Sequence, residues 1–395
     1  MRGLIALLAA FSLLVPVPAL AATEPRTGFE KTGKWTTEAE EQAYLRSLGL
    51  PVTQIGTTAQ GRPLQLVRVG SSAAHTVVLF TCSQHGDEPA GREACLIRMR
   101  SLPRASNVTY LFVPNANPDG RALDTRGNSS GIDINRDHLL LRSAEARAMA
   151  AVIRDWQPDV IHDLHEFGPS SPYYVKDVLW LWPRNLNVSA DAHSLSETLS
   201  RSYVRPSVEA AGRTSGVYGI YVDPVTGEPV RQVAGDGQER ILRNTAGLKH
   251  AMGLLVETNS DGAPAFRVAS HLRALDGTQS FVRDNRSAVE AAGAASRAVR
   301  SGPVYFGGAD NQAPDPSDVL STPPCGYVLT GAQYREVGDE LALHGIRSEY
   351  LRGGDRIVPL HQEARALIPL LLDARADGPL LSARPVAQCV NSLAN

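Results

Sequence analysis

The chain has 395 residues, with 43% hydrophobic residues, 20% charged residues and a formal net charge of −2. These values are ordinary for a globular protein and argue against intrinsic disorder, collagen and coiled coil. There is no basic excess of the kind that nucleic-acid-binding surfaces carry, so we expect no nucleic-acid partner.

The N-terminus has the pattern of an export signal. A short basic start, Met1-Arg2, precedes an apolar run over 4–20, and Ala19-Leu20-Ala21 fits a small-residue cleavage site. We therefore predict a signal peptide at 1–21 and an exported bacterial protein, periplasmic or secreted. No later stretch reaches the roughly 18 to 20 continuous apolar residues of a spanning helix, so no membrane span is expected.

Strands and helices alternate along the next part of the chain. A polar, mobile lead-in is predicted at 22–37, followed by two short strands around a turn at 60–63. The later predictions are strands at 76–81, 108–113, 160–161 and 254–256, and helices at 91–102, 144–156, 239–250 and 283–300. This alternation predicts an α/β fold with a mixed, mostly parallel central sheet flanked by helices.

A loop rich in glycine and proline at 307–324 indicates a domain boundary. We predict a main domain at 38–306 and a small C-terminal extension of unknown role at 307–395. The extension contains a predicted helix at 333–343 and an apolar segment at 364–372, which we expect to pack against the main domain.

Four cysteines are present, and their spacing does not resemble a structural zinc site. An exported protein can keep disulfides. A Cys325–Cys389 pair is preferred because both residues lie in the loop-rich C-terminal part. Cys82 and Cys95 are either paired or buried thiols, and the sequence does not choose between these alternatives.

The sharpest chemical motif is His85-Gly86-Asp87-Glu88, between the strand at 76–81 and the next helix. Functional sites in open α/β sheets gather at the carboxyl ends of strands. Imidazole nitrogen and carboxylate oxygen are both good zinc ligands, so His85 and Glu88 could bind one ion. The alternative is a loop with two solvated side chains.

A second motif, Asp163-Leu164-His165-Glu166, follows another apolar strand. Strand residues alternate between the two faces, so His162 and His165 point in opposite directions. His165 lies nearer the carboxyl end and is chosen as the third ligand. His162 is interpreted as a core or helix-contacting histidine, and Asp163 either orients a neighbour or is a structural acceptor.

Glu257 directly follows the apolar run at 254–256. A carboxylate in such a place is costly unless it is paired or faces an open cleft. Beside a zinc ion it would be a good general base. The alternative is a strand-end glutamate held by an arginine.

A third segment joins these motifs. It contains an Asn-Pro-Asp-Gly sequence at 117–120, then Arg126, and then a Gly-Ile-Asp-Ile-Asn-Arg sequence at 131–136. The content and order of all these pieces resemble the zinc metallocarboxypeptidases, the carboxypeptidase A-like enzymes, over roughly residues 38–300.

This resemblance implies hydrolysis of a C-terminal peptide bond with one Zn²⁺ per chain and a peptide substrate that has a free C-terminal carboxylate. By the same resemblance, His85, Glu88 and His165 bind zinc, Glu257 is the general base, and Arg126 stabilises the oxyanion. Asn135 and Arg136 bind the substrate carboxylate, and Asp133 is hydrogen-bonded to His85.

The sequence also departs from the digestive members of this family, because Asp137 and His138 follow the Asn-Arg pair. Tyr218 and Tyr221 are candidates for the family's mobile tyrosine or ordinary strand aromatics. Arg240 and Arg243 could contact an acidic substrate, although solvated arginines on a helix face are the preferred interpretation.

Three alternatives compete with an exported carboxypeptidase acting on scavenged or cell-wall stem peptides. One is a zinc-dependent deacylase of N-acyl amino acids, like aspartoacylase or succinylglutamate desuccinylase, and a second is a cell-wall peptide amidase. The third is a metal-free binding protein. The export signal favours peptides, and the sequence does not determine the oligomeric state.

Overall fold

The centre of the protein is an eight-stranded mixed sheet. The computed structural model describes residues 24–170, 174–222, 225, 229–232 and 237–389, so the predicted signal peptide lies outside the described residues. Across those ranges, no helix has the length and apolarity required to cross a membrane.

Ten strands belong to the first part of the chain. They are β1 (Val52–Thr57), β2 (Pro63–Val69), β3 (Thr76–Cys82), β4 (Val108–Val113), β5 (Val160–Phe167), β6 (Val178–Leu181), β7 (Ser215–Val217), β8 (Ile220–Val222), β9 (Pro229–Gln232) and β10 (Met252–Asn259). The strands β8 and β9 pair with each other, and the remaining strands form the sheet in the order β1-β2-β4-β3-β5-β10-β6-β7. The pairs β3/β4, β3/β5, β5/β10 and β6/β7 are parallel, which confirms the predicted sheet.

Nine helices accompany these strands in the described part of the chain. They are α1 (Gly28–Thr32), α2 (Glu38–Leu48), α3 (Ala90–Ser101), α4 (Pro118–Leu123), α5 (Ala144–Trp156), α6 (Ala190–Thr198), α7 (Arg205–Glu209), α8 (Leu242–Leu248) and α9 (Pro264–Arg297). A π-helical turn, Leu199–Val204, connects α6 to α7, and a 3₁₀ turn lies at Ile134–Arg136.

Helices cover both faces of the sheet. Because strand residues alternate between faces, Val78 and Phe80 join the core beneath α3 and α9. Leu79, between them, packs on the opposite face with Met149 of α5 and Leu242 of α8. Every residue of β3 is buried, which explains why the sequence at 76–81 shows an apolar run and not an alternation of apolar and polar residues.

Two predictions for the first part of the chain differ from the structure. The predicted helix at 283–300 is the second half of α9, which begins at Pro264; the buried face of the first half includes polar and small residues such as His271, Gly277 and Thr278, so the sequence shows no continuous apolar stripe there. The lead-in was expected to be mobile, but Thr27 caps α1 and Thr36 donates two hydrogen bonds to the buried Glu93 of α3. Phe29 and Trp35 also pack against the main core, so hydrogen bonds and apolar contacts together order this segment.

The C-terminal extension forms a small antiparallel unit. It contains β11 (Val304–Tyr305), β12 (Val319–Leu320), β13 (Gly326–Leu329), α10 (Gly331–Leu343), β14 (Glu349–Tyr350), β15 (Arg356–Pro359), α11 (Leu367–Leu372) and β16 (Arg384–Val386). Helix α11 is fully buried in a core shared with Leu139 and Leu248 of the main domain, as expected for the apolar segment. Because β11 pairs with β12, the predicted boundary at 306/307 falls inside a hairpin.

Both cysteine pairs are disulfides. The preferred Cys325–Cys389 pair is confirmed and links the segment after β16 to the residue before β13. Cys82 and Cys95 are also bonded, which settles the alternative that the sequence left open. This second disulfide joins the end of β3 to α3 and therefore brackets the loop at 83–89.

Candidate metal centre

Three side chains converge at the carboxyl ends of β3 and β5. The Nδ1 atom of His85 lies 2.7 Å from one carboxylate oxygen of Glu88, and the Nδ1 atom of His165 lies 2.8 Å from the other. The two Nδ1 atoms are 3.1 Å apart. All three side chains are buried, and the described residues contain no other cluster of three or more potential metal ligands. The three ligands chosen from the sequence thus lie together.

Each histidine is oriented by a carboxylate on its far side. The Nε2 atom of His85 lies 3.1 Å from Asp133, and that of His165 lies 2.9 Å from Asp163. Because a carboxylate only accepts, each Nε2 carries the hydrogen and each Nδ1 presents its lone pair to the centre. The open alternative for Asp163 is thereby resolved, since it orients a neighbour.

This donor set fits a divalent cation. Two imidazole lone pairs and a carboxylate directed at one point repel one another unless a proton or a cation lies between them. Burial opposes the charged form of Glu88, but the two histidines outweigh it and lower the pKa of this carboxyl. Glu88 is therefore a carboxylate, and two nitrogens with a carboxylate are a common ligand set for zinc.

The loop that carries His85 and Glu88 depends on close backbone packing at Gly86. A Cβ atom at Gly86 would lie 2.0 Å from the carbonyl carbon of Gly120 and 2.3 Å from the nitrogen of Arg121. Only glycine therefore fits where the two loops meet. This contact explains the glycine of the first motif. The glycine that ends the Asn-Pro-Asp-Gly segment has a different reason, because a Cβ atom at Gly120 would lie 2.4 Å from Asn117 Nδ2 and 2.5 Å from the Gly127 carbonyl oxygen.

Asn117 ties the same loops together. Its Nδ2 donates to the carbonyl oxygens of Gln84 and Arg126, at 3.1 and 3.2 Å, and its Oδ1 accepts from the nitrogen of Gly120. The neighbouring Asp119 accepts from the Thr58 hydroxyl and is buried away from the centre. The Asn-Pro-Asp-Gly segment is therefore part of the loop architecture, which the sequence motif indicated without showing its role.

A hydrogen-bond chain that sequence reasoning missed supports Asp163. His138 Nε2 donates to Gln84 Oε1, and Gln84 Nε2 donates to Asp163 at 2.7 Å. The His138 that departs from the digestive enzymes therefore lies behind His165. No local pattern marked Gln84, because its partners come from distant segments.

Glu257 lies in β10 directly beside His165 in β5, since the parallel register pairs these two residues. Its side chain is buried and lines the cavity in front of the three ligands. Burial raises the pKa of Glu257 to about 7, although the facing His165 opposes this shift. The structure therefore places a high-pKa carboxylate beside the cluster, in the position expected of the predicted base.

Arg126 approaches the cluster from the opposite loop. Its Nε and Nη2 atoms lie 3.0 and 2.9 Å from one oxygen of Asp133. Its Nη1 atom lies 3.1 Å from His85 Nδ1 and 3.6 Å from Glu88. About half of the side chain is exposed, so one edge of the guanidinium is anchored while the other faces the cavity.

Asn135 and Arg136 lie on the 3₁₀ turn at the cavity wall. The Asn135 amide is buried, with Oδ1 accepting from Leu242 and Nδ2 lying 3.0 Å from His165 Nε2. Arg136 is half-buried and donates to the Asn135 carbonyl oxygen. In this arrangement the Arg136 guanidinium is the more accessible of the two predicted carboxylate-binding groups.

The ligands open into a cavity of about 630 Å³. Tyr218 is among the lining residues, whereas the side chain of Tyr221 lies outside the described part of the structure. The preferred interpretation of two solvated arginines is wrong for Arg243, which is 2% exposed and lines the cavity. It is correct for Arg240, which is exposed.

His162 points away from the cavity, as the alternation predicted. Its Nδ1 lies 2.9 Å from the Thr278 hydroxyl of α9. The adjacent Glu166 is held by an ion pair with Arg267 and by the backbone nitrogen of Ala90 at 2.8 Å. These residues fix β5 against α3 and α9 and complete the support of the cluster.

One family model matches part of the chain. Residues 50–219 match the model of the zinc carboxypeptidase family. The protein Carboxypeptidase SOL1 of Arabidopsis thaliana is 27% identical over 167 residues, which cover 34% of this chain and 34% of that protein. The chain thus matches about a third of the length of this curated relative.

Two solved structures are similar to this chain. Carboxypeptidase A from Helicoverpa armigera has a TM-score of 0.51 and 16% identity, covering 68% of this chain and 76% of that chain. A metallo-carboxypeptidase from Pseudomonas aeruginosa has a TM-score of 0.49 and 19% identity, covering 65% and 70%. The insect structure supports the same α/β architecture.

Replacing Gly86 by alanine should disrupt the centre. The added Cβ would overlap the backbone at Gly120, so we expect Gly86→Ala to displace the loop of His85 and Glu88 and to weaken zinc binding at least about tenfold. Zinc affinity is measured by competition with a chromophoric chelator. Gly216→Ala is the matched control, because its Cβ would meet only ordinary contacts at 3.7 Å. Equal zinc affinity in both variants would contradict the packing argument.

Removing the charge behind His165 should also weaken the centre. Asp163→Asn loses the carboxylate that fixes the ring and its tautomer, so we expect zinc affinity to fall about 10- to 100-fold. The same chelator competition applies, with the exposed Asp155→Asn as control. An unchanged affinity in Asp163→Asn would show that the ring is fixed by packing alone.

Proposed function

We infer that this chain, whose residues 50–219 belong to the zinc carboxypeptidase family, hydrolyses the C-terminal peptide bond of a peptide substrate. One observation carries the inference. Two oriented histidines and a glutamate converge at the base of an open cavity whose walls present Glu257, Arg126 and Arg136. A metal-free binding protein would not require that convergence.

The cofactor of the family is Zn²⁺, and His85, Glu88 and His165 are the residues that would hold one ion per chain. Bound there, zinc supplies a Lewis acid that acidifies water and polarises the scissile carbonyl. Three protein ligands leave room for the reacting groups, as is usual for catalytic zinc sites. The Nε2 hydrogen bonds keep both rings in the ligating orientation.

Glu257 is the proposed general base and acid. It takes a proton from the attacking water and returns it to the leaving amine as the C–N bond breaks. The products are an amino acid and a shortened peptide. A carboxyl whose pKa lies near 7 can do both near neutral pH, because neither protonation state is strongly favoured. Its register beside His165 places it next to the centre.

The two accessible arginines have separate proposed roles. Arg126, anchored on one edge by Asp133, donates to the carbonyl oxygen as negative charge develops on it. Arg136 binds the terminal carboxylate of the substrate, since its planar fork suits that group. Asn135 supports this region through its buried amide, and its contacts with Leu242 and His165 keep the turn in place.

An exported location, periplasmic or secreted, is proposed with this activity. The two disulfides support it, because disulfides persist in oxidising compartments. The predicted signal at 1–21 is the further support. A peptide substrate fits that location better than the N-acyl amino acids of the alternative deacylase.

Replacing the base should separate chemistry from metal binding. Glu257→Gln keeps the size of the side chain but accepts no proton, so we expect kcat to fall about 10²- to 10⁴-fold while zinc content stays near one per chain. Kinetics on a blocked dipeptide and metal analysis measure both quantities. Glu336→Gln, on an exposed face of α10, is the control. An active Glu257→Gln protein would refute the assigned base.

The requirement for a free carboxylate can be tested with matched substrates. A blocked dipeptide with a free C-terminus should be cleaved at least about 100-fold faster than its C-terminal amide. Arg136→Gln should reduce this preference, mainly by raising KM for the free acid. Equal hydrolysis of acid and amide would instead indicate an endopeptidase or amidase. Preference for an N-acyl amino acid would indicate the deacylase.

A further inference from the structure

Two adjoining cavities separate the C-terminal extension from the helices of the main domain. The larger, of about 210 Å³, lies between the ends of α8 and α9 and the 3₁₀ turn Glu363–Ala366 of the extension. The smaller, of about 110 Å³, lies between α5, the same helix ends and His344. Leu248 and His250 line both cavities, and none of their described lining residues borders the cavity of the metal centre. The seam, as we call the two cavities together, is therefore a space separate from the proposed active site.

Arg365 borders the larger cavity and carries a charge that no acidic group neutralises within the described residues. It is 7% exposed, and its guanidinium donates to the carbonyl oxygen of Gly302. Burial lowers the pKa of this guanidinium, and no neighbouring carboxylate opposes that shift. A neutral carbonyl compensates a buried cation only in part, so Arg365 calls for an anion that these residues do not supply.

Two other buried arginines show the usual arrangement. Arg92 is 1% exposed and pairs with Glu41, and Arg184 is 4% exposed and pairs with Asp310. Charged side chains are seldom buried without such a partner. Arg365 instead contacts a carbonyl oxygen and borders a cavity.

A second cation, Lys249, borders the smaller cavity at the C-terminal end of α8. Burial lowers the pKa of its amine to about 7, with a smaller contribution from Arg154, and no carboxylate opposes the shift. Across the described part of the chain, this amine forms no ion pair. Arg154 itself is paired with the exposed Asp155. The smaller cavity therefore adds a positive group without an acidic partner, next to the cavity of Arg365.

The other charges do not neutralise the seam. Its described lining residues include four cationic side chains and one acidic side chain, namely Arg154, Lys249, Arg297, Arg365 and Glu363. Glu363 is exposed, and Arg297 acts on the nearby Asp159. His250 and His344 are neutral, because burial lowers the pKa of His250 to about 4 and that of His344 well below its usual value. The seam therefore keeps two uncompensated cations beside partly apolar walls, which screen charge poorly.

We propose that the larger cavity binds a small oxyanion, a phosphate, sulfate or carboxylate group, through the guanidinium of Arg365. The planar fork suits a pair of oxygen atoms. The hydroxyls of Ser301 and Tyr305 belong to the same cavity and are donors for further oxygens. Lys249 adds positive potential from the adjoining cavity. This site is independent of the proposed peptidase function.

An anion bound there would join two parts of the protein. Arg365 belongs to the extension, whereas the facing wall of the cavity belongs to the ends of α8 and α9. A ligand that binds only the folded arrangement stabilises it as its concentration rises. Binding should therefore raise the temperature of thermal unfolding as well as release heat.

The test titrates the zinc-loaded protein with inorganic phosphate, sulfate and acetate in a calorimeter, with chloride at equal ionic strength as the reference. We expect the wild type to bind phosphate with a Kd of about 1 mM or lower. Arg365→Gln should weaken this binding at least about tenfold and remove most of the phosphate-dependent rise in Tm. Arg365→Lys should keep part of the affinity, because it retains the charge but not the fork. The order of phosphate, sulfate and acetate identifies which oxyanion chemistry the cavity prefers.

Two variants control for binding elsewhere. Arg352→Gln removes an exposed arginine of the extension and should leave phosphate binding unchanged. Phosphate also suits the arginines of the metal cavity, so Arg136→Gln is the second comparison and should keep the binding that depends on Arg365. Zinc content verifies that each variant retains the metal centre.

The outcomes decide the proposal in either direction. Binding of phosphate, sulfate and acetate by the wild type no stronger than that of chloride overturns it, as does full phosphate affinity in a folded Arg365→Gln protein. Loss of binding in Arg136→Gln but not in Arg365→Gln assigns the anion to the metal cavity and also overturns it. If Arg365→Gln does not fold, Lys249→Gln decides, with about threefold weaker binding expected and unchanged binding contradicting the proposal.

Discussion

The site depends on one electrostatic constraint, the meeting of two imidazole lone pairs and a carboxylate at a single point. Such a cluster is unfavourable without a cation, so the rest of the local structure must hold it together. Asp133 and Asp163 fix the rings from behind. The disulfide between Cys82 and Cys95 brackets the loop at its two ends. The protein therefore orders the three candidate ligands before an ion binds, so little of the binding free energy would be spent on ordering them.

The parallel strands explain why residues far apart in sequence meet. The β3, β5 and β10 strands lie side by side and end at the same edge, which carries His85 and Glu88 after β3, His165 in β5 and Glu257 in β10. The fourth contribution, Arg126, comes from a loop that packs against this edge at Gly86, where a Cβ atom would overlap the backbone of Gly120 and Arg121. The strand ends thus position the ligands, and the close backbone packing at Gly86 positions the loop of Arg126.

The residues at this edge of the sheet could be predicted well, because the sequence patterns that mark them are local. Apolar strand runs end in polar residues, and alternation together with position near the carboxyl end separated His165 from His162. The start of α9 was missed, since the buried face of its first half includes polar residues such as His271 and Thr278. The supporting chain from His138 through Gln84 to Asp163 was not predictable, because each bond joins segments distant in sequence. Burial of Arg243 was missed for a similar reason, as helix-face periodicity does not show that both faces of α8 are covered.

The C-terminal extension bears on the site through the segment 133–142, which carries Asp133, Asn135 and Arg136. On one side this segment is bonded to the main domain, with the His138 nitrogen donating to the Arg240 carbonyl oxygen. On the other side, His344 of the extension donates to the Leu139 carbonyl oxygen at 2.8 Å, and Leu139 packs into the core of the extension. Because the turn that orients His85 and presents Arg136 is held from both sides, the extension is part of the framework of the site. Loosening this segment would disturb Asp133, which orients His85, as well as Arg136.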